Sequence, residues 1–119
     1  MIHKQTHSFK NAFSGLSLVL KTQSNMKIHL ALSTIALTAS VILQISYFEL
    51  LVVMLLVIIG LTLEILNTAI ELTIDSVHTD WHEGAKKAKD VSSAAMLVFS
   101  IGASIISAIL FIPKIIALL

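Results

Sequence analysis

The sequence predicts an all-α membrane protein, one amphipathic surface helix followed by three transmembrane helices, in a single membrane domain over residues 1–119. Hydrophobic residues make up 56% of the chain and charged ones 13%, with a mean hydropathy of +0.94, far from the balance of a soluble domain. Apolar runs of bilayer length then recur over 28–48, 50–75 and 90–112, each bounded by polar residues. A net charge of +1 gives no basis for nucleic-acid binding, and the absence of cysteine excludes disulfides and thiolate metal sites. So short a chain has few helix surfaces with which to shield a polar site from lipid, so oligomerisation is expected.

Residues 8–22 place Phe9, Phe13, Leu16 and Leu20 on one stripe, with Lys10, Asn11, Ser14, Ser17 and Lys21 opposite and Leu18 the exception. That pattern predicts a helix lying in the membrane interface. Nothing in the polar, basic first 27 residues resembles a cleavable signal, so the first span is expected to stay. Thr22 to Lys27 form a polar connector, after which 28–48 runs without a charge, rich in Ala, Ser and Thr that permit close helix contact. His29, near its start, reads as an interfacial or packing residue. Tyr47, Phe48 and Glu49 mark an aqueous boundary where the chain turns back.

The second span, 50–75, carries the residues that ask for a function. Glu64, Asn67, Glu71 and Asp75 follow an uncharged apolar run, and on a helix they fall within roughly 80° of one another, a polar stripe about 16 Å long. Ionisable residues in a membrane segment face a protein interior or a wet cavity and point to function. Glu71 and Asp75 at i, i+4 repel unless a proton or cation separates them, which argues for more than interhelical glue.

The loop 76–89 is polar, with a short basic helix. His78, Asp80, His82 and Glu83 give no complete tetrahedral set at zinc spacing, so a solvated, ligand-contacting loop is the better reading. Asp90 opens the third span as its cap, Pro113 and Lys114 stop it, and Ser100, Ser104 and Ala108 form a small-residue packing face. All eight basic residues are Lys: four before the first span, none between the first two, three between the second and third, one at the end. The positive-inside bias places the N-terminus and the 76–89 loop in the cytoplasm and the C-terminus outside, so the carboxylate stripe opens toward ATP. Carboxylates in a row beside lysines suit metal-assisted phosphoryl transfer next to lipid, and no Gly-rich nucleotide loop is present.

Glu64-Ile-Leu-Asn-Thr-Ala-Ile-Glu71, Asp75, Trp81-His82-Glu83 and Ala88-Lys89-Asp90-Val-Ser-Ser-Ala-Ala95 resemble the small integral-membrane diacylglycerol kinase family of prokaryotes, which includes undecaprenol kinases. The resemblance covers nearly the whole chain. It implies a homotrimer in the prokaryotic inner or plasma membrane, with active sites shared between subunits. It also implies ATP-dependent, Mg²⁺-assisted phosphorylation of a lipid alcohol, diacylglycerol or undecaprenol. Glu64 would be the general base at the lipid hydroxyl and Glu71 a Mg²⁺ ligand, with Asn67 supporting that site. Lys89 and Asp90 would contact the nucleotide, Asp80, Trp81 and His82 its base and ribose, and Ser93 the lipid. Where many members carry a second metal-binding Glu this chain has Gln23, whose amide oxygen can still ligate Mg²⁺ without the charge. Trp81 stands where an aromatic phenol is common. The rival reading is a small transporter or assembly subunit using Glu64 for protons or cations; three spans and the Lys89-Asp90 pair argue against it.

Overall fold

The computed structural model describes residues 2–119. Four helices follow in order: α1 Ile2–Thr22, α2 Ser24–Ile42, α3 Tyr47–Val77 and α4 Glu83–Ile116. The last three are long and apolar enough to cross a membrane. At 1.5 Å per residue, the 19 residues of α2 span about 28 Å, close to one hydrocarbon thickness, whereas the 31 of α3 and 34 of α4 reach about 46 and 51 Å and must project beyond it.

Local chemistry sets the turns. Ser46 caps α3 in a capping box: the Glu49 amide donates to Ser46 Oγ (3.2 Å) and the Ser46 amide donates to Glu49 Oε2 (2.7 Å). Gln44 takes a φ of 49°, a left-handed conformation that reverses the chain in the few residues between α2 and α3. Gln23 alone separates α1 from α2, with an extended backbone that lets the chain turn without a long loop.

α3 is the central element. It packs against α2 on one side and α4 on the other, and the C-terminal part of α1 rests on α2 and α3, while α2 and α4 do not pack against each other. Its inward residues recur at helical spacing: Val53, Gly60, Glu64, Asn67 and Thr68 are all buried. Four antiparallel pairs fix the register of α4 on α3. Lys114 bonds Glu49 at 3.1 Å, Phe99 lies over Gly60, Ser92 donates to Asn67, and Lys89 pairs with Asp75. A Cβ at Gly60 would stand 2.8 Å from the Phe99 ring, so glycine is what lets α4 approach there.

The buried apolar set is small, Val19, Met26 and Val53, and much of the apolar surface of α2, α3 and α4 lies exposed. That is the signature of helices whose outer faces meet hydrocarbon or other chains rather than water.

Helix bounds differ from the sequence ranges in instructive ways. α1 begins at Ile2, six residues before the stripe at 8–22, and α2 stops at Ile42 rather than 48 because the turn into α3 uses 43–46. The link between α3 and α4 is only 78–82, because Glu83 to Lys89 form the first turns of α4 instead of a separate basic helix. Asp90 therefore does not cap α4; His82 does, its Nδ1 accepting from the Ala85 amide at 3.2 Å. Pro113 does not stop the helix, which continues to Ile116; a proline so near the end removes one hydrogen bond from a turn about to fray. Of the small-residue face, Ser100 and Ala108 are half-buried and Ser104 is exposed, while the α4 contact with Gly60 is made by Phe99.

Candidate functional site

Depth along the helices decides where a site can lie. Counting about 30 Å of helix from the aromatic pair Tyr47–Phe48 along α3 arrives near Asn67. Counting back the same distance along α4 from Lys114 arrives near Ser92 and Ser93, and the start of α2 places Gln23 at the same level. Gln23, Glu64, Asn67 and Ser92 thus cluster near one membrane boundary, with Glu71, Asp75 and Lys89 further out.

The polar stripe of α3 is organised through Asn67. Ser92 Oγ donates to Asn67 Oδ1 at 2.6 Å, and Asn67 Nδ2 donates to Glu71 Oε1 at 3.3 Å. Asn67 is 7% exposed and Ser92 8%, so this chain of hydrogen bonds is shielded from water at its inner end and opens toward the half-buried Glu71. An amide so held on both sides has its flip state set by its partners, and it fixes which Glu71 oxygen is engaged.

Glu64 is the most enclosed carboxylate, 2% exposed, one turn below Asn67. The Thr68 hydroxyl donates to the Glu64 backbone carbonyl at 2.9 Å, and no side chain among the described residues donates to the carboxylate itself. Asp75, at the outer end, is ion-paired with Lys89 across the α3–α4 contact. That pair relieves the repulsion expected between Glu71 and Asp75. Asp90 points away from the stripe and bonds Lys86 at 2.7 Å on the exposed side of α4.

The 78–82 link completes a second, more open region. A cavity of about 430 Å³ is lined by Asp75, His78, Asp80, Trp81, His82 and Lys89, among others. His82 stacks on His78 with ring centroids 4.4 Å apart, besides capping α4. Trp81 is 79% exposed, a large flat surface left free beside two lysines and two aspartates. Ser93 is exposed on α4.

The structure therefore brings Glu64, Asn67 and Glu71 onto one face, and gathers Asp80, Trp81, His82 and Lys89 around a neighbouring cavity. It does not join Gln23 to Glu71 by a hydrogen bond: the Gln23 amide donates to Thr22 Oγ1 at 3.2 Å. Among the described residues no three His, Cys, Asp or Glu side chains are grouped to hold a metal by themselves. The Glu71 carboxylate and the Gln23 amide oxygen are hard-oxygen donors, the type of ligand that a small divalent cation takes.

Sequence reading passed over Ser92, although the spacing contained the signal. Ser92 lies three residues from Lys89 and seven from Phe99, and all three face α3, so of the adjacent serines it is the one turned inward. Ser92→Ala should strand the Asn67 carbonyl in a buried position and destabilise the fold by about 1–2 kcal/mol, read as a lower midpoint of thermal unfolding in detergent. Ser92→Thr, which keeps the hydroxyl, should recover most of that loss; equal midpoints for wild type and the alanine variant would show that the bond contributes nothing.

Comparison with known proteins places the chain in a family. The family model described as prokaryotic diacylglycerol kinase matches residues 10–111. Undecaprenol kinase of Bacillus subtilis (strain 168) is 35% identical over 107 residues, covering 90% of this chain and 87% of that protein. Diacylglycerol kinase of Synechocystis sp. is 34% identical over 113 residues, 94% of this chain but 65% of that longer protein. Diacylglycerol kinase of Haemophilus influenzae is 27% identical over 92 residues, 77% of this chain and 78% of that one. With three helices of membrane-crossing length, a family match over most of its residues and these relatives, the chain is a multi-pass membrane protein belonging to the prokaryotic diacylglycerol kinase family.

Proposed function

We propose that this lipid kinase transfers the γ-phosphoryl group of ATP directly to the hydroxyl of a membrane lipid alcohol, diacylglycerol or undecaprenol, at the cytoplasmic boundary of the bilayer. The observation that carries the reading is Glu64: a carboxylate 2% exposed at the membrane boundary, with no donor on its oxygens, one turn from the Asn67–Glu71 pair. A buried carboxylate left free at the level where a lipid hydroxyl would sit is suited to accept a proton.

In the proposed reaction Glu64 takes the proton of the lipid hydroxyl. The hydroxyl oxygen bonds to the γ-phosphorus as the bond from that phosphorus to the ADP oxygen breaks, and ADP departs. Phosphoryl transfer of this kind asks mainly for positioning and charge neutralisation. Lys89 supplies a cation to the phosphates, sharing its ammonium with Asp75, and Asp90 reaches the nucleotide by exchanging its bond to Lys86. Asp80, Trp81 and His82 contact base and ribose, the exposed Trp81 ring offering a stacking surface. Ser93 faces the lipid. Glu71 and Gln23 would hold Mg²⁺ together with the ATP phosphates, and the ion would supply neutralisation of the charge on the transferring group. Asn67, fixed by Ser92, keeps the Glu71 carboxylate turned toward that position.

The lysine distribution supports an orientation with the N-terminus and the 78–82 link in the cytoplasm and the C-terminus outside. α1 lies on the membrane surface with Phe9 and Phe13, 69% and 68% exposed, dipping into lipid. The exposed apolar flanks of α2 and α4 are compatible with assembly of three copies that share their sites.

Glu64→Gln tests the base. The amide keeps size and polarity but cannot take the proton, so lipid phosphorylation should fall by roughly 10²–10⁴ while ATP affinity stays near wild type. Near-normal turnover in that variant would remove Glu64 from the role. Gln23 tests the metal site. Gln23→Glu adds a charged ligand and should lower the Mg²⁺ concentration for half-maximal activity, and Gln23→Ala should raise it. Unchanged midpoints in both variants, titrated at saturating ATP and lipid, would mean that Gln23 only solvates the connector.

A further inference from the structure

His29 stands out among the groups that the reaction above leaves unused. It lies on α2, about 7 Å inside the start of that helix, at a depth where an imidazole is expensive without a partner. Its Nδ1 is 3.7 Å from the point where a Cβ on Gly60 would be, so the ring rests over the bare backbone of α3. Gly60 and Glu64 are one turn apart on the same buried face. The bare backbone at Gly60 admits the Phe99 ring, and the imidazole lies in contact range of the same point, one turn of α3 from Glu64.

His29 meets α3 at Gly60, and Glu64 follows Gly60 by one turn on the same buried face. Neither His29 nor Glu64 has a hydrogen-bond partner from a side chain among the described residues, although Glu64 is buried and His29 half-buried. His29 also lines the end of an apolar groove of about 460 Å³ that continues along Ser33, Val57 and Phe99. The other titratable groups around Glu64 are accounted for. Glu71 on α3 is held by Asn67, Asp75 pairs with Lys89 of α4, and Lys21 in the last turn of α1 is exposed.

We infer that His29 is a positioning residue for Glu64: its ring N–H donates to one carboxylate oxygen, leaving the other aimed at the lipid hydroxyl. This rests on the lipid-kinase reading and on Glu64 as base. The proton balance is unchanged, since the hydroxyl proton goes to Glu64 and His29 keeps its own. A carboxylate at the end of a flexible side chain samples several rotamers, and a fixed donor reduces them to the one that reacts. Orientation of this kind acts on the chemical step and not on the binding of either substrate.

The test compares His29→Phe, which keeps a flat ring without a donor, with His29→Gln, which keeps an N–H at a similar reach; His29→Leu replaces the first if the phenylalanine variant does not fold. Steady-state lipid phosphorylation is measured in mixed micelles. The ring variant should lose about tenfold in kcat, part of the full base effect, with both KM values within about twofold of wild type. His29→Gln should recover most of the rate. An unchanged kcat in His29→Phe overturns the inference, as does a raised lipid KM at constant kcat or an equal loss in His29→Gln. Failure of the underlying reading looks different: wild type then makes no lipid phosphate, or Glu64→Gln keeps the wild-type rate.

Discussion

Asn67 accepts from Ser92 and donates to Glu71, and in doing so it joins the contact that sets the α3–α4 register to the carboxylate that faces outward. In a membrane a buried amide has no water to fall back on, so its partners constrain it more tightly than they would in a soluble core. Sliding α4 along α3 would break this bond together with Phe99 over Gly60 and Lys89 with Asp75. The geometry of the site and the packing of the two longest helices are therefore one constraint. That coupling explains why a protein with so few buried apolar side chains can still hold polar groups in defined positions.

Helix length supplies the second constraint. α2 is about as long as the hydrocarbon is thick, while α3 and α4 overshoot it at the same end. The overshoot carries Glu71, Asp75 and Lys89 out of the bilayer while Glu64 stays at its edge. A lipid hydroxyl and a water-borne phosphate donor can meet only at such a boundary. The stripe runs along α3 across it, and the proposed function places the two substrates at its two ends.

Much of this was legible in the sequence. Apolar runs marked three spans, the spacing of Glu64, Asn67, Glu71 and Asp75 marked the stripe, and the Glu64 to Glu71 element together with Asp75, Trp81-His82-Glu83 and Ala88 to Ala95 marked the family. Legibility failed where tertiary contacts override local signals. Pro113 and Asp90 look like boundaries, but α4 runs through both because packing on α3 outweighs a single lost hydrogen bond or an unused cap. Ser92 was hidden by its neighbour Ser93, since only the helix phase distinguishes them. His29 read as an interfacial or packing residue, and nothing local indicates that the backbone its ring meets is that of Gly60, 31 positions later. Gly60 itself is uninformative in sequence and becomes meaningful only against Phe99.

Direct transfer of phosphate across the Glu64–Glu71 stripe is tested most immediately by giving the purified protein γ-labelled ATP and either diacylglycerol or undecaprenol in mixed micelles. Labelled lipid phosphate should then accumulate in step with ADP, with no labelled protein along the way. Label retained on the protein, or ADP formed at the same rate without any lipid alcohol, would contradict direct transfer between the two substrates.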